Sequence, residues 1–332
     1  MPRTLVISDL HLGLRHGTDL LRDERVLGAL VAHLRDGGFE RLVLLGDTIE
    51  LRHGPQEDAF ADAAPVLAAL GAAVAHVVLL PGNHDHRLLA VPHEELAAMV
   101  APATLEIQYP GVWLREDVYA THGHYLDCCL TMPTVERIAI GAMTRIVGPV
   151  PERDATPDDF EALLRPIYAW IHEIAQARGS AWSARGQSTS KNAWTALSRR
   201  GPRPVRARML GALFPAAVWS LNRAGMGPLR PHISGYELRQ AGLRAINDVV
   251  RRLGIDAGHV IFGHTHRAGP LPGDHAHEWQ TLTGARLHNA GCWTHEPVFR
   301  GADPESPYAA GRAIELDDDG PPRLVRVTRA PA

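Results

Sequence analysis

Thr4-Leu5-Val6-Ile7-Ser8-Asp9-Leu10-His11-Leu12-Gly13 opens with an apolar run that breaks off into an Asp-x-His pair. The run over residues 4–8 reads as a buried strand. The same arrangement recurs further along the chain. Residues 42–45 lead into Gly46-Asp47, and His76–Leu80 leads into Gly82-Asn83-His84-Asp85. Val118–Thr121 leads into His122-Gly123-His124, and His259–Phe262 into Gly263-His264-Thr265-His266. Helix-like segments lie between the early strands. Residues 20–35 carry Leu20, Leu27, Leu30, Val31 and Leu34 at helical spacing, with Asp19 placed as a cap and Gly37-Gly38 as a stop. A second helix is expected over residues 59–70, ending at Gly71. Strands alternating with helices predict an α/β domain with right-handed crossovers.

Strand ends in such a sheet gather on one rim, where ligands bind. Asp, His and Asn supply hard and borderline oxygen and nitrogen donors, a set suited to Mn, Fe or Zn rather than to an iron–sulfur cluster. In Asp-x-His and His-x-His, alternate side chains face one pocket if the backbone stays extended.

Five such motifs, in this order and each after an apolar run, resemble those of the calcineurin-like metallophosphoesterases. The resemblance spans residues 9–266. It implies an α/β fold, a metallophosphoesterase-type β-sandwich flanked by helices, and two divalent or trivalent metal ions, Mn or Fe ahead of Zn. It assigns Asp9, His11 and His266 to one metal and Asn83, His122 and His264 to the other, with Asp47 bridging. A hydroxide between the metals would attack a phosphomonoester, phosphodiester or pyrophosphate in line. The family role of His84 is to contact the phosphate and assist the leaving group, with Asp85 orienting its imidazole. His124 is a further candidate for substrate contact, and Arg52 offers a planar fork that can clamp a phosphate. Asn289-Ala290-Gly291-Cys292-Trp293 is similar to the Asn-x-Gly-x-Trp segment that follows the last metal motif in such enzymes and reads here as a tight turn with a packed Trp.

Between the fourth and fifth motifs the pattern changes to long helical stretches. Residues 1–125 and 237–332 are therefore expected to form the catalytic domain, with 126–236 an inserted helical lid subdomain. A helix over 238–253 leads back to the fifth strand, and a β-hairpin closes the chain, Arg312–Leu316 and 324–327 flanking Asp319-Gly320-Pro321. Within the insertion no acidic residue stands between Glu173 and Glu237, while Arg178, Arg185, Lys191, Arg199, Arg200, Arg203, Arg206, Arg208, Arg223 and Arg230 are basic. Such a surface attracts an anionic substrate. Residues 209–221 are almost wholly apolar, too short to span a bilayer and suited to the core of the insertion or to an apolar contact surface. Trp182, Trp194 and Trp219 fit packing, base stacking or an interface.

The chain has 332 residues, 45% of them hydrophobic, which places it outside the disordered class. Its net charge of −3 argues against a general basic coat for nucleic acid. Three cysteines, Cys128, Cys129 and Cys292, make neither a disulfide framework nor a Cys-x-x-Cys clasp. A reducing compartment follows, and the apolar run before Asp9 is too short for a signal peptide, so the expected location is cytoplasmic, with peripheral membrane contact through the lid. The expected partner is a phosphorylated small-molecule or lipid substrate. The insertion between motifs four and five is similar to that of UDP-diacylglucosamine hydrolases, but His84 stands where those enzymes have Arg. A repair-exonuclease-like nuclease acting on nucleic acid, and a non-catalytic metal-bound interaction module, are the alternatives.

Overall fold

Val6, in strand β1 (Thr4–Ile7), lies opposite Val43 in β2 (Arg41–Leu45), which lies opposite Val78 in β3 (His76–Leu80). These three strands run parallel, followed by β4 (Thr104–Ile107). On the other side of β1, β9 (Arg312–Leu316) pairs antiparallel, with β10 (Arg323–Arg326) beyond it. The six-stranded order is β10-β9-β1-β2-β3-β4. A second sheet has the order β5-β6-β7-β8, built from Gly111–Arg115, Val118–Thr121, His259–Phe262 and Arg286–Asn289, its last three strands parallel. The computed structural model describes residues 2–14, 18–178, 205–231, 235–295, 303 and 305–328.

Side chains alternate across a strand, so each apolar run serves two cores. Leu5, Ile7, Leu42, Leu44, Val77 and Leu79 pack on the helical side, against Val26, Leu30 and Leu34 of α1 (Glu24–Asp36) and Ala63, Val66 and Leu67 of α2 (Gln56–Gly71). Val6, Val43, Leu45, Val78 and Leu80 point the other way, into a core shared with Leu114, Val118, Ala120 and Ile261 of the second sheet. Burying both faces explains why these strands read as continuous apolar runs. The result is the expected mixed α/β sandwich of two sheets flanked by helices.

Three local expectations change. The helix expected from residue 20 begins at Glu24, after a short 3-10 turn, Leu20–Arg22. Asp19 is buried and accepts from Gly13 N at 3.1 Å, while Asp23 caps α1 through Arg25 N at 2.9 Å. The second helix starts at Gln56 rather than residue 59. β4, β5 and β8 carry no expectation, because four or five residues with one to three apolar positions and no alternation give too little period-2 signal.

The chain divides into two compact units. The sheets, together with Trp170–Ala184, form one; Tyr125–Ala169 and Arg185–Ile255 form the other. The division differs from the expected 126–236 insertion at its C-terminal boundary. The helix expected over 238–253, observed as Gly235–Arg252, belongs with the helical unit, where Arg252 O accepts from Ala155 N at 3.0 Å. In that unit Tyr125 stacks on Phe160 and its hydroxyl donates to Glu161 at 2.7 Å. Buried Arg137 donates to the carbonyls of Leu130 and Gly227. Of the apolar stretch 209–221, Val218 is buried and Trp219 is 64% exposed. Trp182, Trp194, Arg185, Lys191, Arg199, Arg200 and Arg203 lie outside the described residues. Among the described residues no helix is long and apolar enough to cross a membrane.

Candidate active site

The loops after β1 and β2 zip together: Asp9 N donates to Gly46 O at 3.1 Å, His11 N to Asp47 O at 2.8 Å and Leu12 N to Thr48 O at 2.9 Å. At these loops the backbone leaves the extended region. Asp9, His11 and Asp47 have φ of 57°, 47° and 50°, and His264 and His266 have 64° and 57°. Asp-x-His and His-x-His thus reach one pocket through left-handed turns, not through an extended backbone. Each such residue costs about 1–3 kcal/mol, a strain that folded proteins concentrate at functional sites.

These turns bring seven predicted side chains together in two groups. In the first, His266 Nε2 lies 3.2 Å from Asp9 Oδ1 and 3.3 Å from His11 Nε2. In the second, one terminal atom of the Asn83 amide is 3.1 Å from His264 Nδ1 and 3.2 Å from both His122 Nε2 and Asp47 Oδ2. Asp47 stands between the groups, with Oδ2 3.4 Å from His122 Nε2 and 3.7 Å from His11 Nε2.

The donor chemistry fits cations. Asp9 Oδ1 is buried against His266 Nε2. Burial alone would raise the pKa of Asp9, yet His266 holds it at about 2; Asp47 is likewise held well below the carboxylate range, chiefly by His122. His122 rises to about 9, its burial outweighed by Asp47. Such buried carboxylates require positive charge nearby, from imidazolium or from metal. The Asn83 amide, one end of which lies among His122, His264 and Asp47, adds a neutral oxygen donor to the second group. The groups Asp9–His11–His266 and Asp47–His122–His264 could each hold a metal ion.

His84 has an unexpected partner. Its Nδ1 lies 2.8 Å from Glu50 Oε2, the same oxygen that lies 3.0 Å from His11 Nδ1. Glu50 is fully enclosed; burial would raise its pKa, but His84 and His53 hold it well below normal. With both Nδ1 protons donated to Glu50, each ring is fixed with Nε2 available. Burial pushes the His84 pKa down to about 4, with Glu50 opposing.

The calcineurin-like phosphoesterase model matches residues 2–268, from β1 through the fifth motif.

The chain belongs to the calcineurin-like phosphoesterase family.

It is a metallophosphoesterase of a family with a dinuclear metal centre, and the Asp and His groups above could bind metals. Among solved structures, similarity extends to Yfce, a phosphoesterase from E. coli, at 14% identity with 98% of this chain and 100% of that chain covered, TM-score 0.34. A dimetal phosphatase from Danio rerio matches at 12% identity over 99% and 100%, TM-score 0.35. The phosphopantetheinyl hydrolase PptH from Mycobacterium tuberculosis matches at 17% over 96% of each chain, TM-score 0.36. No significant match is found among curated proteins. At these scores the structural neighbours add no argument to the family assignment.

Two further candidates of the phosphoesterase are placed differently from expectation. Asp85 does not orient His84. Its oxygens accept from the backbone amides of Gly82 at 2.6 Å, Thr48 at 2.7 Å, Asp47 at 3.2 Å and Ile49 at 3.3 Å, so it fastens the turn that carries Asp47. His124 is packed inside rather than open to solvent: it is 1% exposed, with Nε2 3.1 Å from the Tyr109 hydroxyl and its ring 5.6 Å from that of His122. Arg52 is buried, and both of its terminal nitrogens lie 3.3 Å from the outer end of the Asn83 amide.

Glu50, Tyr109 and Asn289 complete the surroundings. Asn289 donates to Gly263 O at 2.9 Å and Thr265 Oγ1 at 3.0 Å, holding the fifth motif, and Trp293 is fully buried, as the turn reading expects. Glu50 carries one legible signal: it is the lone carboxylate in the otherwise apolar stretch just after Asp47. Glycine is required at two close approaches. A Cβ at Gly46, φ +84°, would strike the His122 ring, and one at Gly263 would strike Ser8 Oγ.

Proposed function

We propose that this phosphoesterase hydrolyses a phosphorylated small molecule at two metal ions, Mn or Fe ahead of Zn, held by Asp9, His11 and His266 on one side and Asn83, His122 and His264 on the other, with Asp47 shared. The observation that carries the reading is the placement of Asp47 Oδ2 between His11 and His122. Two metals so held activate water and stabilise the charge of an in-line displacement at phosphorus. The protein's own groups do the rest. Arg52, beside Asn83, presents a bidentate donor to the phosphate oxygens. Glu50 fixes the His84 ring and favours its doubly protonated form, as does the negative charge of a bound phosphate; in that form Nε2–H contacts the phosphate and hands its proton to the leaving oxygen, leaving the neutral imidazole with Nδ1–H on Glu50. Asp85 keeps Asp47 in its turn.

Synthetic aryl phosphoesters, whose phenolate departs readily, serve as probes. Protein loaded with Mn, its two-metal content verified, is expected to turn over p-nitrophenyl phosphate or bis-p-nitrophenyl phosphate, and the ratio of the two separates monoester from diester chemistry. Absence of turnover on both, and on a panel of nucleotides and pyrophosphates, would overturn the reading in favour of a metal-bound interaction module.

A further inference from the structure

Helix α2 begins after Pro55, which has no side chain able to cap it, so the first amides of the helix need an acceptor from elsewhere. Gln176 supplies it. Its Oε1 accepts from Gln56 N at 3.1 Å, and its Nε2 donates to Gly54 O at 3.1 Å, so one side chain holds both the start of the helix and the loop before it. Gln176 lies in the last turns of the helix Pro157–Arg178, and His172, one turn earlier, faces the Leu51 backbone. Residues four apart share a helix face, so His172 and Gln176 grip the 51–56 loop together.

That loop carries Arg52. At its strand end Glu50 Oε1 accepts from Arg52 N at 2.9 Å. The Arg52 guanidinium is buried beside the Asn83 amide. Its backbone is therefore set from two directions: by Glu50, which belongs to the site, and by Gln176, which follows Arg52 by more than a hundred residues.

We propose that Gln176 is a positioning residue for Arg52, acting through the 51–56 loop to set the geometry in which the phosphate is bound. The inference rests on the reading of Arg52 as a phosphate contact. It gives the end of a helix that begins in the inserted segment a defined role in the phosphate site. Binding strength for phosphate is the quantity it governs; metal binding by the seven ligands is not.

The test is a double-mutant cycle on the metal-loaded full chain with Gln176→Ala and Arg52→Ala, reading KM, kcat and inhibition by inorganic phosphate. Two hydrogen bonds of ordinary strength correspond to about a tenfold effect. Gln176→Ala is expected to raise KM and the phosphate inhibition constant about tenfold, to leave kcat within about twofold and both metals in place, and to add nothing in the Arg52→Ala background. Gln176→Glu, which keeps the acceptor for Gln56 N but loses the donor to Gly54 O, is expected to recover only part of the affinity. Gln176→Met preserves packing without either bond and replaces Ala if that variant folds poorly. Unchanged KM in Gln176→Ala and Gln176→Met, or an equal loss with and without Arg52, overturns the inference while leaving the role of Arg52 intact. If Arg52→Ala itself leaves KM and phosphate inhibition unchanged, the reading of Arg52 has failed.

Discussion

Glu50 and His84 meet at 2.8 Å, Oε2 to Nδ1, although Asp85 is the chain neighbour of that histidine. The same Glu50 oxygen holds His11, so one carboxylate orients both a candidate metal ligand and the histidine proposed to serve the leaving oxygen. Carboxylates behind site histidines typically contribute 10–100-fold in metal affinity or activity. Glu50→Gln, close in shape, is accordingly expected to lower kcat about 10–100-fold with saturating Mn. Steady-state kinetics on bis-p-nitrophenyl phosphate measure this; unchanged kcat would remove Glu50 from the mechanism.

Asp47 and His84 separate metal binding from proton transfer. Asp47→Ala removes the shared carboxylate, and metal content by elemental analysis is expected to fall from two ions towards one or none, with turnover lost. His84→Ala is expected to lose turnover while retaining both ions. Equal metal loss in the two variants contradicts the assigned roles.

Asp85 accepts from four backbone amides, and hydrogen bonds to a charged acceptor are stronger than neutral ones. Asp85→Ala leaves those buried amides without their acceptor and is expected to cost about 3 kcal/mol or more in stability, with loss of metal affinity following from the freed Asp47 turn. Chemical denaturation of the metal-free protein reads the first effect apart from the second.

Gly38 and Gly46 share a left-handed backbone, φ +64° and +84°, but only Gly46 has a neighbour in the way. Gly38→Ala meets open space and is expected to cost about 1 kcal/mol, from backbone conformation alone. Gly46→Ala drives a methyl into the His122 ring and is expected to cost several times more and to weaken metal binding at His122. Similar losses in both, measured by urea unfolding and metal titration, would contradict the close approach.

His288 lies away from the metal groups, buried against His259, with Nε2 3.0 Å from His259 Nδ1. Burial, with His259 and Arg286, lowers its pKa from 6.5 to about 4. The unfolded chain therefore binds the proton more readily. The stability contribution is present above pH 6.5 and is lost as pH falls towards about 4. At pH 5 the loss is about 2 kcal/mol. Urea unfolding of wild type and His288→Asn at pH 7.5 and 5 should show the wild type losing more, and parallel losses would assign the pH dependence to other groups.

Much of the site was legible because a metal centre on a parallel sheet imposes order on the chain. Each strand is buried on both faces and so reads as an apolar run, and each donor must follow a strand end. Asp9, His11, Asp47, Asn83, His122, His264 and His266 were found on that rule, and the structure brings them together. The rule stops at the partners of those donors. Asp85 and Glu50 are both carboxylates near the same turn, and nothing in their order along the chain says which one meets the His84 ring. Asp85 is taken by the amides of Gly82 and the turn after Gly46, which leaves Glu50 as the carboxylate within reach of the imidazole.

By itself the sequence determined the strand runs, the identity and order of the candidate metal donors, and the family. Tertiary structure decided how those donors converge, through left-handed backbone at five of them, and which buried groups stand behind them. It also decided that Gln176, from a segment with no motif, closes the loop of Arg52. The physical reason is common to all three. Apolar periodicity and donor chemistry are properties of residues and their spacing, whereas a hydrogen-bond partner is chosen by distance and competing acceptors once the chain has folded.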